Sequence, residues 1–322
     1  MSWMRLIGET EPTIRSTDLL SVDHPAHPYP SQQMVRDSAL LRGVLFLGIL
    51  LGSYGIFYLL LSALQGNTRI SFAQARCLEL FACLTAYLIL TIGIEGRHPP
   101  AEIAPPRIIG LIKGMILGVL LISLSVGILA LLGGYSITGF NPGYDPWLDL
   151  FSLGLVAGIS EEILMRGILL RLVEEGLGSW GAIAVSASVF GLLHITNVDG
   201  TLWGSIAIVI EAGLLFGAIY VLTRSLWWCI GLHMGWNIAL GPVFGIVVSG
   251  NGVTDSWILP QVSGPDLLTG GVFGLEASLI PVILLGFLGI SLLVYAQKAG
   301  RMILPMWIRK TRLLGSSTSE KT

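Results

Sequence analysis

Residues 158–167 read GISEEILMRG, from Gly158 through Ser160, Glu161, Glu162 and Arg166 to Gly167, and they lie inside a long apolar run. Two carboxylates and a guanidinium are costly to place at that depth in lipid, so intramembrane ionisable residues default to functional hypotheses. On a helix, Glu162 and Arg166 are four residues apart and share one face, with the acid amino-terminal to the base, the better order for a pair. Glu161 points about 100° away from Glu162. Glu162 and Arg166 can therefore neutralise each other, whereas Glu161 has no partner in its own helix. It needs a proton or polar company from elsewhere.

The rest of the chain explains why such company must come from other membrane helices. Of 322 residues, 53% are hydrophobic and only 12% charged, with a mean hydropathy of +0.78. A soluble domain would carry about a quarter charged residues. The composition predicts an all-α polytopic membrane protein embedded in the lipid bilayer, and the net charge of −2 gives no sign of a nucleic-acid partner. Cys77, Cys83 and Cys229 lie in apolar segments without a CxxC pair, so they form neither a disulfide framework nor a zinc cluster by themselves.

A bilayer span needs about 20 mostly apolar residues. Segments 40–64, 74–95, 107–132, 147–171, 179–198, 203–223, 226–249 and 273–297 meet that rule, giving about eight transmembrane helices. Residues 1–39 form a polar amino-terminal tail, 40–298 the membrane domain and 299–322 a basic carboxyl tail. The amino tail lacks the pattern of a cleaved signal peptide and is expected to touch the membrane surface through Trp3 and Leu6. The longest connection, GNGVTDSWILPQVSGPDLLTGG, has the polar, Gly- and Pro-rich composition of a solvent loop. Glycines recur at four-residue spacing, as in Gly110/Gly114/Gly118 and Gly231/Gly235, and read as helix contact surface.

Lysine and arginine cluster in the two tails and in the even-numbered connections; only Arg69 and Arg76 go against the count. Both termini are therefore expected in the cytoplasm. A multi-pass location in a bacterial inner (cell) membrane is the expectation carried forward. At 1.5 Å per residue, Glu161 lies about 15 Å and His233 about 11 Å from the cytoplasmic ends of their spans, but His194 about 22 Å. The site is nonetheless expected to open toward the cytoplasm.

Polar partners for Glu161 are available on two other spans. Phe190 and His194 are four apart in SVFGLLHITN, and His233 and Asn237 are four apart in GLHMGWN. A Glu, two His and an Asn converging in a membrane cavity would make a water-activating site: the Glu takes the proton, a His helps hold the water, and His plus Asn stabilise an oxyanion. Phe190 reads as packing. Cys229 shares a helix face with His233, which makes a Cys/His nucleophile conceivable. Glu211 either lines the same cavity or bonds a neighbouring helix, while Glu79 and Glu276 read as interfacial. HExxH and GxSxG signatures are absent. A zinc ion held by Glu161, His194 and His233 stays chemically open, because three such ligands plus water is a catalytic zinc set.

The ordered motifs EExxxR (Glu161, Glu162, Arg166), FxxxH (Phe190, His194) and HxxxN (His233, Asn237) resemble those of the intramembrane glutamic endopeptidases of the CAAX-protease and bacteriocin-processing group, often called CPBP or Abi. The resemblance covers residues 147–249. It implies hydrolysis of a membrane-associated peptide or protein, prenylated or not, by a glutamate-activated water and without a required cofactor. Glu161 and His194 would activate the water, His233 and Asn237 would form the oxyanion site, and Glu162, Arg166 and Phe190 would support them. The competing reading is a non-proteolytic immunity factor, scaffold or transporter that uses the same polar cluster structurally.

Overall fold

A computed structural model describes residue 20 and residues 38–253 and 255–319. The amino-terminal contacts expected of Trp3 and Leu6 lie outside these residues. The chain is mostly helical. Helix α1 spans Ala39–Gln65, and α2 spans Phe72–Leu88 with a π-helical extension, Ile89–Ile94. Helix α3 covers Ile109–Leu131. A continuous helical stretch, Trp147–His194, is divided at Gly178 into α4 (147–177) and α5 (179–194). Leu202–Thr223 forms α6, and α7 is Leu226–Ile238 continued by a π turn, Ala239–Val243. Helix α8 spans Leu279–Lys298 and α9 Met306–Ser319.

Among the described residues, six helices are long and apolar enough to cross a membrane: Ala39–Gln65, Phe72–Ile94, Pro105–Leu131, Trp147–His194, Leu202–Thr223 and Leu279–Lys298. The expected fourth and fifth spans are the two arms of Trp147–His194. The expected seventh is α7, shorter than its predicted range and interrupted by the polar His233 and Asn237 and by Pro242. Gly178 makes the turn between arms with φ 71° and ψ 177°, and a Cβ there would run into the backbone of 303–305. Only glycine suits a position combining that φ with that approach.

Two features position α7 at the centre. Gly114 and Gly118 on α3 lie against the α7 backbone at Trp228 and Leu232, while Gly231 and Gly235 on α7 lie against Leu111 and Met115 of α3. A Cβ at any of the four would penetrate the opposing backbone, so the small-residue spacing sets the interhelical distance. The other feature is a small two-stranded sheet beside the helices. Strand β1 (Tyr135–Phe140) pairs antiparallel with β2 (Ile258–Val262), from Tyr135 opposite Val262 to Phe140 opposite Ile258. β2 lies inside the connection read as a solvent loop. Tyr135 donates its hydroxyl proton to the Phe244 carbonyl at 2.9 Å, which ties this small sheet to the end of α7.

The bundle thus has two unlike ends. One gathers the starts of α1, α3, α5, α7 and α9 with the ends of α2, α4, α6 and α8. There Arg42 reaches Glu95 at 3.0 Å and Glu175 at 2.5 Å, Arg171 reaches Glu95 at 3.0 Å, and Arg224 reaches Glu174 at 2.6 Å. Arg97 pairs with Glu102, which also accepts from the Tyr87 hydroxyl at 2.8 Å. All these side chains are buried. The opposite end carries the β-sheet and the connections after α1, α5 and α7.

Candidate active site

Glu161 and Glu162 end a short α-helical turn of α4, Ala157–Glu162, that is flanked by π-helical stretches at Leu150–Val156 and Ile163–Leu170. Widened turns of this kind are frequent at functional sites. Glu162 points into the protein, fully buried, and accepts from Arg166 Nη1 at 2.9 Å. Its Oε1 also lies 2.9 Å from His233 Nδ1 on α7. Glu162 therefore does more than neutralise Arg166: it holds the imidazole of His233, a link between helices that spacing within one helix cannot reveal. Arg166 donates in addition to the Ala212 carbonyl at 3.2 Å, and its guanidinium carbon sits 5.1 Å from the ring centroids of both Phe190 and Phe216. Cation–π contacts of this sort help a desolvated guanidinium.

Glu161 points the other way. Its side chain keeps 35% of its exposure and lies 3.8 Å from His233 Nε2. With Nδ1 committed to Glu162, the Nε2 of His233 is the atom that meets Glu161 and the open space beside it. On α5, His194 Nδ1 lies 2.7 Å from the Phe190 carbonyl. A carbonyl oxygen only accepts, so Nδ1 carries the proton and Nε2 presents a lone pair. The Phe190 ring stands edge-on to His194 with centroids 4.7 Å apart, and to His233 at 6.2 Å. Phe190 is thus a wall between the two imidazoles. Asn237, one turn beyond His233, donates Nδ2 to the Leu153 carbonyl at 2.9 Å, which orients its amide across to α4.

Glu161, Phe190, His194, His233 and Asn237 all line one cavity of about 570 Å³. Glu162 and Arg166 lie beneath its floor. The mouth is formed by Phe72, Arg76, Asp149, Asn197 and Asn251, which belong to the end of the bundle that carries the β-sheet. Helix α5 runs toward that end, and His194 is its last residue. The cavity and the start of α1 lie at opposite ends of the bundle. An apolar groove of about 1050 Å³ between α1, α4 and α5 meets the cavity at Leu164, Met165 and Leu193 and runs toward Ser38 and Glu175.

Other sequence candidates fall elsewhere. The Cys229 thiol points to the Phe216 carbonyl at 3.8 Å and does not line the cavity. Glu211 is fully buried, neither carboxyl oxygen has a hydrogen-bond partner among the described residues, and it lines neither the cavity nor the groove. Glu79 pairs with Arg76 near the mouth. Glu276 is not interfacial: it is buried, accepts from Trp236 Nε1 at 2.9 Å, and takes the Ser249 amide at 2.5 Å and its hydroxyl at 3.0 Å. It fastens the connections before α8 and after α7 to the helix that bears His233 and Asn237. Among the described residues no three His, Cys, Asp or Glu side chains are grouped as a metal site. Glu161, His194 and His233 share a cavity without the convergence that three zinc ligands require.

No curated protein and no solved structure matches the chain. Residues 143–239 match the family described as type II CAAX prenyl endopeptidase Rce1-like, over the stretch in which all three motifs fall. Over those residues this integral membrane protein is similar to the Rce1-like type II CAAX prenyl endopeptidases.

Proposed function

We propose that the chain is an intramembrane endopeptidase that hydrolyses a peptide bond of a membrane-associated substrate with a water activated by Glu161. The observation that carries this reading is that Glu161, His194, His233 and Asn237, from three helices, line one cavity. A water between Glu161 and the Nε2 lone pair of His194 would give up its proton to the carboxylate as it attacks the carbonyl carbon. General-base assistance of this kind contributes about 10²–10⁴-fold. His233, with Nδ1–H given to Glu162 and a proton on Nε2, would face the developing oxyanion together with the Asn237 amide. Arg166 pairs with the buried Glu162 carboxylate, which in turn accepts from His233 Nδ1–H. The proton taken by Glu161 then passes to the leaving amine.

The apolar groove supplies room for the lipid-embedded part of a substrate beside the cavity, whether an acyl or isoprenoid chain or an apolar segment. The test compares membrane peptides by mass spectrometry from cells carrying the wild-type chain and Glu161→Gln. New or lost termini that depend on Glu161 support hydrolysis. Identical peptide profiles from equally abundant, folded proteins would refute it. A zinc-dependent version would lose activity with chelator and regain it with metal.

A further inference from the structure

We infer that the catalytic cavity opens on the side of the membrane away from the cytosol, and that the bond it cuts lies in the non-cytosolic leg of a membrane-anchored protein or peptide. The second half of this statement rests on the hydrolytic reading above; the first half does not.

The inference joins the end of the bundle at which the cavity opens to the distribution of basic residues over the two ends. Asp149 starts α4, His194 ends α5, Asn197 follows it, and Asn251 follows α7; all of them line the cavity. Hydrogen bonds join these connections to one another: Asn197 Nδ2 donates to the Ser249 carbonyl at 2.6 Å, and Arg76 donates to the Ser152 carbonyl at 3.0 Å. The cavity mouth and the β-sheet therefore share one end. The opposite end holds Arg42, Arg97, Arg107, Lys113, Arg171, Arg224, Lys298, Arg301, Arg309, Lys310 and Arg312, against Arg69 and Arg76 at the mouth end.

Membrane insertion retains Lys- and Arg-rich short connections in the cytoplasm. With basic residues so unequally divided, the ion-pair end is the cytosolic one and the mouth is not. Asp149 lines the cavity, and the connections at the same end of the bundle carry Asp145, Asp199, Asp255 and Asp266. Acidic residues weigh little in setting orientation and do not oppose it. The groove completes the picture of the substrate. It leaves the cavity at Leu164, Met165 and Leu193 and runs along α1 toward the ion-pair end, the path of an anchor that lies in the bilayer while its scissile bond sits near the mouth. A soluble cytosolic peptide would have no route to Glu161 in this arrangement.

The test uses the full chain with Cys77→Ser, which removes the one partly accessible native thiol; Cys83 and Cys229 are buried. Asn251→Cys places a thiol at the mouth and Asp145→Cys a second on the same end. Lys298→Cys places one on the opposite end, and all three native positions are exposed. Intact bacterial cells expressing each variant are treated with a membrane-impermeant maleimide, before and after permeabilisation. Labelling of Asn251→Cys or Asp145→Cys in intact cells, with Lys298→Cys labelled only after permeabilisation, is the expected result. Labelling of Lys298→Cys in intact cells, with the mouth positions protected, overturns the inference. Maleimide on Asn251→Cys in intact cells should also convert the membrane-peptide profile to that of Glu161→Gln. If the labelling pattern holds while neither protein changes any peptide, the orientation stands and the hydrolytic reading falls.

Discussion

The two ends of this bundle use the same residue types in opposite ways. At the ion-pair end, Arg42, Arg97, Arg171 and Arg224 meet Glu95, Glu102, Glu174 and Glu175 in equal numbers, buried and within hydrogen-bond reach. At the cavity end, Glu161 keeps about a third of its exposure and has only the 3.8 Å approach of His233. A compensated cluster locks helices together. An acid held short of its partner, beside open space, retains capacity for a proton and a water. The difference teaches that what separates structure from chemistry here is whether the partner closes the gap.

The largest expected effect at the cavity end follows from removing the base. Glu161→Gln keeps shape and should lower turnover by about 10²–10⁴-fold, with thermal stability unchanged because the native side chain makes no hydrogen bond within its helix. Turnover within a few-fold of wild type would break the comparison. Asn237→Ala should lower kcat by about 10²–10³-fold if its amide faces the oxyanion, read as kcat falling with KM little changed.

At the other end the expected loss is stability. Arg171→Ala leaves Glu95 without one of its guanidiniums and should cost about 3–5 kcal/mol, the penalty for breaking a buried pair. A lowered melting temperature in detergent, with residual folded protein still active, is the signature. An unchanged melting temperature would show that the cluster is dispensable.

The smallest effect is one of pH. Burial pushes the Glu95 and Glu102 carboxyls up, but the guanidiniums of Arg171 and Arg97 beside Glu95, and of Arg97 beside Glu102, outweigh it and hold both below the ordinary 4.5. Carboxyls depressed in the folded state stabilise it fully above their unfolded range and lose that contribution as pH falls through the folded values. The melting temperature should therefore hold down to the ordinary carboxylate range and decline only in stronger acid. Glu95→Gln should flatten that decline.

Much of this was legible in the chain itself. The apolar segments pointed to a helical membrane architecture, and the four-residue spacings of Phe190 with His194 and of His233 with Asn237 marked side chains that line the cavity, because periodicity along one helix reports which residues share a face. What spacing cannot report is contact between distant segments. The ion-pair end depends on Arg42 meeting Glu175 and Glu95 meeting Arg171, separated by more than seventy residues in each case. Glu162 has two partners, and only the one in its own helix follows from sequence; His233 comes from α7. Glu276 looked interfacial because it precedes a span, yet the fold folds its connection inward onto Trp236. The strand at 258–262 was hidden within a Gly- and Pro-rich connection, since its pairing partner lies more than a hundred residues away.

The central claim is that Glu161 and His194 hold one water opposite His233 and Asn237. A cryo-electron microscopy map of the wild-type protein in lipid nanodiscs, at a resolution that shows ordered water, tests it most directly. The account predicts water density within about 2.6–3.2 Å of both a Glu161 carboxyl oxygen and His194 Nε2. A Glu161 side chain turned to the acyl chains, with no water shared with either imidazole, would contradict it.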